Sequence, residues 1–504
     1  MGCSVGLLSA IGEPRRFAAA KPVDCGSLLP LWRRAEEAEG TSGGWRTGEP
    51  ACCPRRGALP ARHPQQAAAS AQRQQAAAVH DAPAANPDPR SRESAAHHRR
   101  TQGTPRPHGR CKRRAARRLH PGVGQGARAW LRGKLAELPV EVHTDAAGNL
   151  LATLRGASDK ALLIGGHIDS VPNGGWLDGC LNVMAGVEIL RRLAAQDEGR
   201  PPVTVRLVDW ADEEGARFGK SLFGSSACSG NLDMDEARGL VDKDGIRLPD
   251  ALREHGIDFE NVKASGCELA NAAAYLELHI EQGPVLLDLE LPLGAVLGTF
   301  GVERHAITFH GQAAHSGSTP MHRRRDAFLA AGKMSTEIYG IAERSGAGVC
   351  TIGSCTTKPG IVTSVVEECR ITLDQRHLDA DALAQMLEDA RDASDRFAKD
   401  GNVGVNWERI WHIAPRPFHD ELIALCDDAI RETCGVSHRL PSGPLHDAAE
   451  VARAGIPTVM MFVQSLHGIS HNKIEDTRED HIALAVTAFD RLADKALAWI
   501  AGRR

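Results

Sequence analysis

Five short segments of this 504-residue chain put histidines and carboxylates where they could hold divalent metal ions and activate water. In Gly165-Gly166-His167-Ile168-Asp169-Ser170 a His follows an apolar run, with a carboxylate two residues on. A surface His beside a turn Asp is the bland alternative. Trp176-Leu177-Asp178-Gly179 precedes Leu181, Met184, Val187 and Leu190, which fall at helical spacing. An Asp there is either a helix N-cap or a carboxylate bridging two ions. Ala211-Asp212-Glu213-Glu214-Gly215 sets three acids in a row after a strand-like run, costly unless cations are near. A solvated acidic turn is the alternative. In Glu277-Leu278-His279-Ile280-Glu281-Gln282-Gly283, strand alternation aims His279 and Glu281 the same way. Gly468-Ile469-Ser470-His471 follows the apolar run 456–463. Histidines mixed with carboxylates suit two ions such as zinc or manganese, with no thiolate site.

Such ligands need rigid elements behind them, and the pattern supplies candidates. Residues 127–138 read as a helix, and 140–154 as a strand pair around Ala147-Gly148-Asn149. Runs 161–164, 203–210 and 456–463 read as strands, the last continuous and apolar, of the buried kind. Alternation of strands and helices predicts an α/β fold, a sheet with helices on both faces, in 121–290 and 401–504. Ligands then sit beyond the strand ends. Residues 291–400 differ in texture. Period-two strands (306–310, 370–376) and two helices (325–342, 380–396) predict an inserted α+β domain, with linkers near Pro292 and Gly401.

Composition narrows the class. Hydrophobic residues make up 42% and charged residues 25%, an ordinary globular balance. No stretch reaches the length of an apolar membrane span, so no membrane association is expected. The net charge of −4 conceals a split: residues 51–120 carry 15 basic and 3 acidic residues. Residues 1–120, rich in Ala, Arg, Pro and Gln, are expected to be a basic, disordered extension or text from an upstream start or another reading frame. A phosphate-binding arm lacks interleaved aromatics, so nucleic acid is not expected as a partner. An acylation signal fails at Gly6, and Glu13, Asp24 and Glu36 weigh against a targeting peptide. The 13 cysteines form no CxxC pair, which fits reduced thiols in a cytoplasm.

The segments GGHIDSVPNGGWLDG, ADEEGARFGKSLFGS, ELHIEQGPVL, GQAAHSGSTPMHRRRDA, TLDQRH, SGPLHDA and GISHN, in this order, resemble the hydantoinase/carbamoylase amidohydrolases. That family holds N-carbamoyl-L-amino acid hydrolases, β-ureidopropionases and allantoate amidohydrolases, alongside di-metal aminoacylases and carboxypeptidase-G-like peptidases. The resemblance spans about residues 127–500. It implies a di-metal catalytic domain and an inserted lid or dimerisation domain. It implies two divalent ions per subunit, zinc or manganese, with cobalt and nickel as other candidates. His167 and His279 would hold one ion, Glu214 and His471 the other, and Asp178 would bridge them. Glu213 would be the general base toward the attacking water, and Asp169 would orient His167. His315 would steady the oxyanion in the partner subunit's site, hence a homodimer. Arg376 would clamp the substrate carboxylate, a two-to-two pairing Lys cannot imitate, and Gln282 would line the pocket.

The expected activity is hydrolysis of a linear ureido or amide C–N bond in a small carboxylate substrate. N-carbamoyl-L-amino acid hydrolysis comes first and allantoate hydrolysis second, then β-ureidopropionase or aminoacylase-type chemistry. The chain departs from the family at Thr363, where a substrate-binding Asn is usual. Thr keeps a hydroxyl but loses the amide's paired donor and acceptor. His467 also stands where a small residue is usual.

Overall fold

Continuous apolar runs set the architecture. The computed structural model describes residues 121–196 and 199–503, without the side chains of 121–125. The expectations for residues 1–120 lie outside the described residues. In chain order the first elements are α1 (Pro121–Leu135), β1 (Glu141–Thr144), β2 (Leu150–Leu154), β3 (Ala161–His167), α2 (Cys180–Ala194) and β4 (Thr204–Trp210). Next come α3 (Phe223–Cys228), α4 (Met234–Gly239), α5 (Leu248–Glu254), β5 (Ala272–Ile280), α6 (Val285–Asp288) and β6 (Leu293–Thr299). Then follow β7 (Gly301–His310), β8 (Ala314–His315), α7 (Ala327–Ser345), β9 (Val349–Lys358), β10 (Ser364–Val365), β11 (Glu368–His377), α8 (Ala380–Asp400) and β12 (Gly404–Ile413). The last are β13 (Arg416–Pro417), α9 (Asp420–Cys434), β14 (Arg439–Ser442), α10 (Asp447–Arg453), β15 (Thr458–Val463) and α11 (Glu479–Gly502).

Nine strands form one mixed sheet in the order β1-β2-β4-β3-β5-β15-β6-β13, with β14 beside β6. Its centre is parallel: β3 pairs with β4 and β5, and β5 with β15. Every residue of β3, β4 and β15 is buried, as a sheet covered on both sides requires. Helices α2, α9 and α11 pack on this sheet, α11 packs on both α2 and α9, and α10 packs on β5 and β15. The apolar faces of α2 and α11 (Val183, Leu190, Phe489, Leu492) join the strand residues in one core. The expected strand pair at 140–154 is the hairpin β1–β2, with Asp145 Oδ1 accepting the N–H of Ala147 and Asn149.

A second, four-stranded antiparallel sheet runs β12-β7-β11-β9. Along β11 buried residues alternate with half-buried ones, and Cys369, Ile371 and Leu373 meet Met334, Ile338 and Met386 of α7 and α8 in a separate core. Asp326 and Asp379 cap these two helices through their side chains. The chain enters this sheet after Phe300 and leaves after Ile413. The expected boundaries at Pro292 and Gly401 shift accordingly: β6 pairs with β15 in the large sheet, and β12 pairs with β7 in the small one. Both strands lie next to the domain crossing, and period two alone does not say which sheet a strand joins. No described helix is long and apolar enough to cross a membrane.

Candidate metal centre

The carboxyl ends of β3, β4, β5 and β15 point their following loops to one place, as parallel sheets do. His167 is the last residue of β3 and is buried. Its Nδ1 faces the backbone carbonyl of Asp169 at 3.2 Å. That pairing puts a proton on Nδ1 and turns Nε2 toward the carboxylates as the atom a metal ion would take. Nε2 lies 3.7 Å from Asp178 Oδ1 and 3.6 Å from Glu213 Oε2, buried and without a hydrogen-bond partner. His279, near the end of β5, repeats the pattern. Nδ1 faces the Ile280 carbonyl at 2.9 Å, and Nε2 lies 3.0 Å from Asp178 Oδ1.

Asp178 sits between these rings and His471. His471 Nε2 is 3.5 Å from Asp178 Oδ2 and 3.4 Å from Glu214 Oε2. Asp178 does not cap α2; the N-cap is Gly179, with no side-chain cap bond. Gly179 has φ +65°, and a Cβ there would fall 2.4 Å from the His167 carbonyl oxygen. A side chain at Gly179 would therefore push His167 out of place. Among the described residues, two donor groups share Asp178, His167–Asp178–His279 and Asp178–Glu214–His471, and a third, Glu277–His279–His446, meets them at His279.

Asp169 fastens the β4 loop to this centre. Its carboxylate accepts the backbone N–H of Glu213 at 3.2 Å and of Glu214 at 3.0 Å, with Oδ1 3.5 Å from His167 Nδ1. Burial, reinforced by Asp447, Glu214 and Asp169, pushes Glu213 well above the ordinary carboxylate range, against the opposing pull of His167. Burial and the nearby Asp178 raise Glu214 as well. The crowded carboxylates repel one another unless cations lie among them, and Nε2 of His167 and of His279 faces the same space. With the orphaned Nε2 of His167, this donor set fits two divalent ions, with Glu213 alongside.

Gln282, at φ +60°, donates from Nε2 to Asp178 Oδ2 at 2.9 Å and to Ser470 Oγ at 3.2 Å. Arg376, near the end of β11, donates to the carbonyl of Gly443 at 3.0 Å. His315 and Thr363 adjoin each other instead: Ser316 N–H donates to the Thr363 carbonyl at 2.9 Å, and His315 pairs with Ser364 between β8 and β10. The exposed His315 ring accepts from the N–H of Gly317 and Ser318 through Nδ1. Among the described residues, no hydrogen bond or ion pair joins His315 or Thr363 to the carboxylate cluster.

One expectation needs correcting. Glu281 does not share the face of His279, because β5 ends at Ile280. Its carboxylate turns to the N–H of Val285 at 2.6 Å and of Leu286 at 2.9 Å, at the start of α6. The residue on the His279 face is Glu277, two positions earlier, which accepts from Tyr275 Oη and from Ala448 N–H. His446 was given no role by sequence reasoning, yet its ring packs edge-on to His279 at 4.4 Å. Glu475 was missed too; it accepts from Ser470 Oγ at 2.6 Å and His471 N–H at 3.2 Å, and so shapes the His471 loop. Their signal was strand register for Glu277 and the SGPLHDA segment for His446; Glu475 gave none.

Residues 163–495 match the family model for peptidase family M20/M25/M40. The chain is 36% identical over 352 residues to an N-carbamoyl-L-amino acid amidohydrolase of Geobacillus stearothermophilus, covering 69% of this chain and 85% of that protein. It is 32% identical over 357 residues to an allantoate amidohydrolase of Escherichia coli, covering 70% and 86%. Among solved structures, an amidase of the hydantoinase/carbamoylase family from Burkholderia multivorans superposes with a TM-score of 0.67 at 30% identity, covering 74% of this chain and 90% of that one.

Proposed function

The chain belongs to peptidase family M20/M25/M40, among its hydantoinase/carbamoylase amidases, and on that premise we propose that it is an N-carbamoyl-L-amino acid hydrolase. It is an amidohydrolase of non-peptide C–N bonds, as its named relatives are. The observation that carries the hydrolytic reading is the pair of donor groups sharing Asp178, with Glu213 beside them; the choice of a carbamoyl amino acid is supported by the 36% identity to the Geobacillus stearothermophilus relative. The reaction takes the carbamoyl amino acid and water to the amino acid, carbon dioxide and ammonia.

His167, Asp178 and His279 would hold one ion, and Asp178, Glu214 and His471 the other. Zinc or manganese suits this nitrogen and oxygen set. When bound, the ions supply Lewis acidity, polarising the carbonyl oxygen and acidifying water. Glu213 takes the proton of the attacking water and returns it to the leaving nitrogen. Asp169 holds the backbone of Glu213 and Glu214 in place. Arg376 pairs with the substrate carboxylate, while Gln282 and Thr363 line the pocket. His315 of the partner subunit donates to the developing oxyanion, which makes the enzyme a homodimer. The second domain spans about residues 301–413, and the enzyme works in the cytoplasm.

The test is ammonia release by manganese-loaded protein on N-carbamoyl-L-amino acids, N-carbamoyl-β-alanine and allantoate, with amine release from an N-acetyl amino acid. Turnover of the first class is the expected result. Turnover of allantoate alone transfers the assignment to allantoate hydrolysis, the activity named for the Escherichia coli relative. Silence across the panel with two ions bound rejects both.

A further inference from the structure

We propose that Asp374 is a positioning residue: it aims the guanidinium of Arg376 and leaves open only the donors that a substrate carboxylate needs. The inference rests on the reading of Arg376 as the carboxylate clamp. Asp374 and Arg376 are two residues apart on β11, so their side chains share a face. Arg376 Nε donates to Asp374 Oδ1 at 2.8 Å and Nη2 to Oδ2 at 3.4 Å. Arg376 Nη1 donates to the Gly443 carbonyl at 3.0 Å. A guanidinium has five N–H groups. These three contacts leave two, one on each Nη, enough for the two oxygens of one carboxylate.

Asp374 is itself held. Arg304 lies directly opposite it on β7, and Arg304 Nε and Nη2 donate to Asp374 Oδ2 at 2.9 and 2.6 Å. The Arg304 guanidinium rests over the Trp411 ring, 5.1 Å from its centroid. Two guanidinium groups against one carboxylate leave a single positive charge, which a substrate carboxylate neutralises. Gly443 ties this arrangement to the metal centre, three residues before His446, whose ring lies 4.4 Å from His279. Without Asp374, Arg376 keeps one fixed donor and gains rotational freedom. The clamp then charges the pocket without orienting the substrate.

The experiment compares metal-loaded wild type, Arg376→Ala, Asp374→Ala, Asp374→Asn and the Arg376→Ala/Asp374→Ala double variant. The probes are N-carbamoyl-L-methionine and its uncharged carboxamide, each read as kcat and KM, with binding of both by calorimetry. Wild type and Arg376→Ala establish the clamp: the wild type prefers the acid, and Arg376→Ala loses that preference. Asp374→Ala is expected to raise KM for the acid about ten-fold and to leave kcat/KM for the carboxamide unchanged. Adding it to Arg376→Ala is expected to change nothing further. Asp374→Asn, which keeps the shape and one acceptor, is expected to fall between and serves if the alanine variant does not fold. A merely structural role lowers both substrates together and overturns the proposal. If Arg376→Ala abolishes the preference but both Asp374 variants keep it, the positioning role alone is overturned. If Arg376→Ala keeps the preference, the clamp reading falls and this inference with it.

Discussion

The carboxylate of Asp169 accepts the backbone N–H of Glu213 at 3.2 Å, so an acid on the β3 loop sets the start of the β4 loop. Its other oxygen accepts the N–H of Glu214 at 3.0 Å. Asp169→Asn replaces one acceptor with an NH2 that faces a backbone donor. The expected outcome is metal affinity lower by about 10–100-fold with the fold retained. Chelator competition and circular dichroism measure the two parts. Unchanged affinity would separate Asp169 from the centre.

Glu213 is buried beside His167 but belongs to neither shared donor group. Glu213→Gln keeps the side chain's size and removes its proton-accepting charge. We expect kcat to fall by about 10²–10⁴-fold while two ions per chain remain bound. Full activity in this variant would mean another group takes the proton. Loss of metal would make Glu213 a ligand.

Much of this centre is legible in the sequence because several of its residues close or follow apolar runs, and such runs become buried parallel strands. His167, Glu213 and His279 could be read this way, and the structure brings them together with Asp178, Glu214 and His471. The sequence is mute where a role depends on the exact end of a strand. Glu281 looks equivalent to His279 until β5 stops at Ile280 and the carboxylate turns away. It is mute as well where elements distant along the chain meet. His446 reaches His279 only because α10 packs on β5. The split of β6 and β12 between two sheets is likewise a tertiary decision that local pattern does not carry.

That turn of Glu281 has a measurable consequence. Its carboxylate satisfies the N–H of Val285 and Leu286, which α6 cannot satisfy internally. Glu281→Ala is expected to cost about 1 kcal/mol of stability, as losing an N-terminal cap does. Metal content should stay at wild-type level. Denaturant midpoints with metal analysis on the same samples read both. A variant that loses an ion would add Glu281 to the ligand set.

The sharing of Asp178 between the two donor groups predicts an unequal response to ligand removal. His471→Ala and Glu214→Gln each disable one group and leave His167, Asp178 and His279 intact. Each should retain one ion per chain. Asp178→Asn strikes both groups and should retain neither ion at concentrations that saturate the wild type. Bound ions add stability by mass action, about 2.7 kcal/mol per site at one hundred times Kd. Melting temperature in added manganese should therefore rise most for wild type, less for His471→Ala and Glu214→Gln, and not at all for Asp178→Asn. Elemental analysis after gel filtration gives the stoichiometry directly. Two ions retained by Asp178→Asn would remove its bridging role. Loss of both from His471→Ala would mean that one ion cannot stay without the other, because the two donor groups then act as a single site.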